Sequence, residues 1–317
     1  VPGAAASSTV DSPLDRADRA QDDEALSEEP YRTIATHGQD VGEEVRRIAS
    51  AIGLSAELHA LLDLAGRVHD LGKAHGAFQH AIQDRLEGRV DLAKAPRGAW
   101  RRDQIYGPRR GFRHELVSTI ALFELVRRCD PWHPALLGSH RELVDLGVLD
   151  PPGATDLAGD LPLISELVLL EAGEFDLVAY LVCCHHGKVR TTWQATPHDL
   201  NAAVQAPEPE TEADPLAIRG APLRGVCDDD VIPAIEMATA GSRGRVPSIE
   251  LHLDLANMGV GSRYGESWSQ RVLALRHRLS DHALAFLETL LRVADIRASQ
   301  LRSRDPALST GVDPEAS

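Results

Sequence analysis

The sequence predicts an all-α fold, a helical bundle carrying a small β-hairpin and irregular insertions. Three observations predict it. Apolar residues recur at three- and four-residue spacing along most of the chain, as in Leu58, Leu61, Leu62, Ala65 and Val68. The stretch FDLVAYLVCCHHGK, Phe175 to Lys188, is apolar on every side until its end and reads as a buried helix. Strict alternation is found in SIELHLDLAN, where Ile249, Leu251, Leu253 and Leu255 share one side and predict a strand of the hairpin.

Taken in order, residues 1–30 hold eight acids against two arginines and read as a disordered acidic linker or a cut from something longer. They lack the charged start and apolar core of a signal peptide, so a cytoplasmic chain is expected. The main domain is expected over 31–302. Val41, Val45, Ile48 and Ile52 predict a first helix from Asp40 to Ile52, with His37 just ahead of it. Ser55 offers a cap for a second helix that ends at His69 and Asp70, with Gly72 where such a helix stops. A third is expected from Ala74 to Leu86. Between Arg97 and Arg113 six arginines face one acid, Asp103, and this basic segment runs into His114 and the amphipathic helix RHELVSTIALFELVRRC. Prolines break residues 131–162, and 195–265 reads as a loop-rich insertion with short strands. The last helices, Ser267 to Leu301, set Asp295 among Leu291, Val293, Ala294 and Ile296, and 303–317 reads as a disordered tail.

At 317 residues the chain can bury a substantial core. Its net charge of -15 argues against a protein that coats nucleic acid by bulk attraction. The absence of any apolar run near the roughly 18 residues of a membrane span argues against a membrane partner. Cys129, Cys183, Cys184 and Cys227 have no CxxC spacing and read as core thiols. Lys73, Lys94 and Lys188 are the only lysines, and two of them sit beside histidine motifs.

The chemistry-bearing residues are His37, His69 with Asp70, His114, His185 with His186, and Asp295, all at helix ends or on apolar helices. Imidazole and carboxylate together suit first-row divalent metals, and the set exceeds what one tetrahedral site needs, so two ions are implied. Such a pair supplies a nucleophile near neutral pH and stabilises both oxygens of a phosphoryl displacement.

In this order, THGQDV, HDLGKAHGAFQ, RHE, HHGK and ADIRAS resemble the HD superfamily of metal-dependent phosphohydrolases, and most closely the HD nuclease domain of the CRISPR-associated helicase-nuclease of type I systems. The resemblance covers roughly residues 31–301, with 131–170 and 195–265 unanchored. It implies an HD-domain helical bundle and a metal-dependent nuclease that cuts single-stranded DNA in antiviral defence. By resemblance His37, His69, Asp70 and Asp295 hold one ion, and the bridging Asp70 with His114, His185 and His186 holds the second. Manganese, iron, cobalt or nickel would suit these ligands, and magnesium is possible. Asp70 and Lys73 are then the catalytic residues, with Lys73 beside the scissile phosphate. Ser299, one turn after Asp295, orients substrate. Lys73 reads equally as a helix C-terminal charge, and Ser299 taken alone reads as a surface hydroxyl.

The segment leading to His114 is expected at the rim of the site, so Arg109, Arg110 and Arg113 are substrate-binding candidates, with Trp100 and Tyr106 able to stack on bases or to anchor the loop. No GxxxxGK[ST] phosphate loop is present. Strand separation is therefore expected from a helicase, either a separate chain or a missing part of this one, acting with a CRISPR surveillance complex. Two other readings stand beside this one: an HD phosphohydrolase acting on nucleotides or cyclic nucleotides, and a non-catalytic interaction module.

Overall fold

The close approach of two helices organises the fold. In the computed structural model the described residues are 30–303, apart from 83–87, 102–105, 110, 158–160, 187–190, 206–213 and 215. α1 (Ile34–Ala51) and α2 (Ala56–Val68) pack with glycine at their closest approach. A Cβ on Gly38 would lie 2.4 Å from the Arg67 carbonyl oxygen, and one on Gly66 would lie 3.2 Å from Gly42. Glycine at these positions brings the start of α1 against the end of α2, and so His37 against His69.

α1 begins six residues before the start that its valines predict. The Thr33 side chain caps it by accepting from the Thr36 amide. His37 therefore lies inside the first turn, fully buried, and not ahead of the helix. The residue before the cap belongs to β1 (Arg32–Thr33), which pairs antiparallel with β2 (Leu92–Lys94). Ser55 caps α2 as expected, accepting from the Leu58 amide.

Beyond α2 the chain takes a 3-10 turn, Leu71–Ala74, and then α3 (Gly76–Ala81). The single helix expected from Ala74 to Leu86 is thus shorter. His75 caps α3 by accepting from the Ala77 amide, and Ile82 turns extended to bridge Trp100. The 3-10 turn lies hard against α4 (His114–Cys129): a Cβ on Gly72 would meet the His114 carbonyl oxygen at 2.1 Å.

After the short α5 (Arg141–Asp145) and α6 (Pro162–Val168), α7 (Ala172–Cys184) runs through the centre, packing on α2, α4 and α9 (Trp268–Ser303). Phe175 and every residue from Leu177 to Cys184 are buried, as its all-round apolar sequence requires. Truncating one of these, Leu181→Ala, would cost about 2–5 kcal/mol. Glu171 and Glu174 form a capping box at its start. α9 is two helices joined at Ser280, whose φ of 67° breaks the helical path.

Among the described residues between α7 and α9 lie α8 (Pro197–Gln205) and six short strands in antiparallel pairs. β3 (Val231–Ile232) pairs with β6 (Ile249–Glu250), β4 (Ile235–Ala238) with β5 (Arg243–Val246), and β7 (Val260–Gly261) with β8 (Gly265–Glu266). The strand expected from Ile249 to Leu255 ends early. The Leu253 amide donates to the Asp228 carboxylate, and Leu253–Ala256 is a 3-10 turn that still buries Leu255. Among the described residues the architecture is a helical bundle with small two-stranded sheets. The disorder expected for 1–30 and 303–317 falls outside the described residues except at Pro30 and Ser303.

Candidate metal centre

Five segments bring their polar ends to one place. His37 comes from the first turn of α1, His69 and Asp70 from the end of α2, His114 from the start of α4, His185 and His186 from the end of α7, and Asp295 from α9. His37 Nε2 lies 2.9 Å from Asp295 Oδ1 and 3.5 Å from Asp70 Oδ2. His69 Nε2 is 3.3 Å from the same Asp70 Oδ2, whereas His114 Nε2 is 3.3 Å from Asp70 Oδ1. The ring centroids of His69 and His185 are 4.9 Å apart, those of His114 and His186 5.2 Å, and those of His185 and His186 4.1 Å. All seven side chains predicted as ligands are therefore neighbours, and the two oxygens of Asp70 face different histidine groups.

Six of their donor atoms make no hydrogen bond. His37 Nε2, His69 Nε2, Asp70 Oδ1, His114 Nε2, His185 Nε2 and Asp295 Oδ1 are buried without a hydrogen bond. Leaving a buried polar group unsatisfied costs about 1–3 kcal/mol, so six in one place need a ligand to satisfy them. Two donor triplets, His37/His69/Asp70 and His114/His185/His186, each hold their atoms within 4.8 Å of one another, which suits divalent cations.

The other ring nitrogens are tied back. His69 Nδ1 lies 2.8 Å from the Gly66 carbonyl oxygen and His185 Nδ1 2.7 Å from that of Val182, which fixes each ring with Nε2 inward. Burial lowers His37 and His114 to about 4, and burial with the neighbouring histidines lowers His185 well below its ordinary value, so these rings are neutral near pH 7. Burial also opposes protonation of His69, but the Asp70 charge outweighs it and raises this ring, which must release a proton to ligate. Burial alone would raise Asp70; the charges of His69 and Lys73 hold it well below the usual carboxylate range. Lys73 Nζ donates to Asp70 Oδ2 at 2.7 Å.

Three contributors are not legible from motif order. Ser118, one turn after His114, donates to the His69 carbonyl at 2.8 Å and accepts from the Gly72 amide at 2.7 Å, stapling the turn to α4. Lys94 on β2 lies close enough to Asp295 to help hold its carboxylate ionised against the effect of burial. Glu115, buried beside His114, puts Oε2 3.5 Å from His114 Nδ1. Its adjacency in RHE is the one signal of it in the sequence.

The arginine segment departs from expectation. Arg109, expected at the rim, is 1% exposed and chelates Asp230 with both terminal nitrogens, donating also to the Gly225 and Ala217 carbonyls. Pairing with a carboxylate 121 residues away turns it inward, so its guanidinium is engaged in the interior and not at the rim. Arg113 is likewise buried, directly before α4, and so presents no guanidinium at the surface. Arg110 lies outside the described residues. Trp100 donates to the Ala95 carbonyl and packs on Phe78, while Tyr106 packs on Phe112, so both anchor the loop. Ser299 is buried on α9 one turn past Asp295.

A family model described as Cas3, HD domain, matches residues 33–301. No curated protein and no solved structure matches the chain. Among the described residues no helix is long and apolar enough to cross a membrane.

Proposed function

The chain belongs to the Cas3 HD-domain family, metal-dependent nucleases of CRISPR defence, and from that premise we propose that it hydrolyses phosphodiester bonds of single-stranded DNA in type I interference, using two divalent ions. The observation that carries this reading is the set of unpartnered inward donor atoms divided between the two oxygens of Asp70. His37, His69 and Asp295 would hold one ion, His114, His185 and His186 the other, and Asp70 both. Manganese, iron, cobalt or nickel fits the imidazole-rich set, and magnesium fits it less well. Bound there, the ions supply a Lewis acid for the phosphoryl oxygens and a source of nucleophile near neutral pH.

The protein's own residues do the rest. The carbonyls of Gly66 and Val182 aim His69 and His185. Lys73 fixes the rotation of the Asp70 carboxylate and keeps a cation beside the place where a phosphate must sit. Ser299 orients the strand. A helicase, fused or separate, and a surveillance complex would deliver single strands.

The test is incubation of the purified chain with circular single-stranded DNA and with nucleotides, in manganese or EDTA. The reading expects nicking that needs metal and is lost in Asp70→Ala. Nucleotide turnover with intact DNA would favour the phosphohydrolase reading, which gains ground because Arg109 and Arg113 are turned inward.

A further inference from the structure

The two halves of the centre are unequal in charge. His37 lies against two carboxylates, Asp70 and Asp295, and His69 against Asp70, whereas in the group of His114, His185 and His186 the inward contact with a carboxylate is that of His114 with Asp70. The histidine-rich half is therefore the one whose hold on a dication a further carboxylate would strengthen most. Its rings also differ in how they are held. His69 and His185 are tied by backbone carbonyls, but His114 has a carboxylate, Glu115 Oε2, 3.5 Å from its Nδ1.

Glu115 is 1% exposed and sits in the first turn of α4, where the positive end of the helix dipole favours an anion. Glu115 Oε2 makes no hydrogen bond, but at 3.5 Å its charge favours the ring orientation that keeps Nδ1 towards it and makes the inner nitrogen a better donor. We propose that Glu115 is a positioning residue that sets the metal affinity of the half built from His114, His185 and His186, by aiming His114 and adding its charge to that half. This rests on the two-ion reading above. It adds to that reading an asymmetry: one binding step depends on Glu115 and the other does not.

The test is a calorimetric titration of the full chain with manganese chloride, alongside melting of the metal-free protein. Wild type is expected to bind in two steps, of which His186→Ala loses one. Glu115→Gln should weaken that same step about 10–100-fold and leave the other unchanged, with melting of the metal-free variant showing that it folds. Glu115→Asp, which keeps the charge, should fall between the two, and carries the test if the Gln variant does not fold. Both steps at wild-type affinity in these variants, or both weakened equally, would overturn the proposal while leaving the nuclease reading intact. A wild-type chain that binds no manganese would overturn both.

Discussion

Two buried clusters grow from the same short segment, His69 to His75, and they differ in what they leave open. In the metal centre, His37, His69, Asp70, His114, His185 and Asp295 present donor atoms with no hydrogen-bond partner. In the second cluster, Asp230 accepts from Arg109, lies 3.0 Å from His75 Nε2 and accepts from the Cys227 amide, while His75 Nδ1 accepts from Ala77. Among the described residues only Arg109 Nε is left over there. The residue types are similar and both clusters are buried. The closed cluster holds the insertion to the bundle; the open one suits a divalent cation. Satisfaction of donors, more than burial or charge, separates the working cluster from the structural one.

Substitutions should therefore act differently in the two. The largest effect is expected from Asp70→Ala, which should lower metal-dependent cleavage about a thousand-fold, or ~4 kcal/mol of barrier, while circular dichroism keeps its helical form. Arg109→Ala should instead cost about 3–5 kcal/mol in denaturant unfolding by stranding Asp230 in the interior, with cleavage per folded molecule retained. A stable but inactive Arg109 variant would erase the distinction.

Acid sharpens the same contrast. Burial opposes ionisation of Asp230, but hydrogen bonds and charges from His75 and Arg109 bring it down to about 2 from 3.8. A depressed carboxylate stabilises the fold above its unfolded value and loses that contribution as pH falls towards 2, here about 2 kcal/mol. His75 is lowered too, chiefly by burial, so its share is present above 6.5 and declines below. Stability measured from pH 7 to 2.5 should fall in wild type and fall less steeply in Asp230→Asn. The smallest effect belongs to the exposed remainder of the arginine segment. Replacing Arg97 and Arg101 by alanine should change neither cluster, and at most flatten the salt dependence of DNA binding by about 0.7 for each phosphate no longer neutralised.

Much of the centre was legible because its residues lie at the ends of strongly patterned helices, where apolar spacing locates the turn and the motif supplies the ligand. The His69–Asp70 pair and the His185–His186 pair are of this kind. What sequence could not supply was partnership across distance. Arg109 reads as a surface cation until Asp230, far along the chain, is seen against it, and Trp100 reads as a base-stacking ring until Phe78 covers it. The strand ending at Leu255 misled for a related reason: a 3-10 turn can bury the same side chains that an extended strand would. His37 reads as lying outside its helix because the valine pattern begins only at Val41, whereas the cap that starts the helix is Thr33.

The central claim is that the open donors around Asp70 exist to hold metal, and the most direct test is the manganese content of the chain after loading and desalting. Two ions per wild-type chain, lost in Asp70→Ala and retained in folded Asp230→Asn, is the expected result. An Asp70→Ala chain that keeps its full complement of manganese would contradict it.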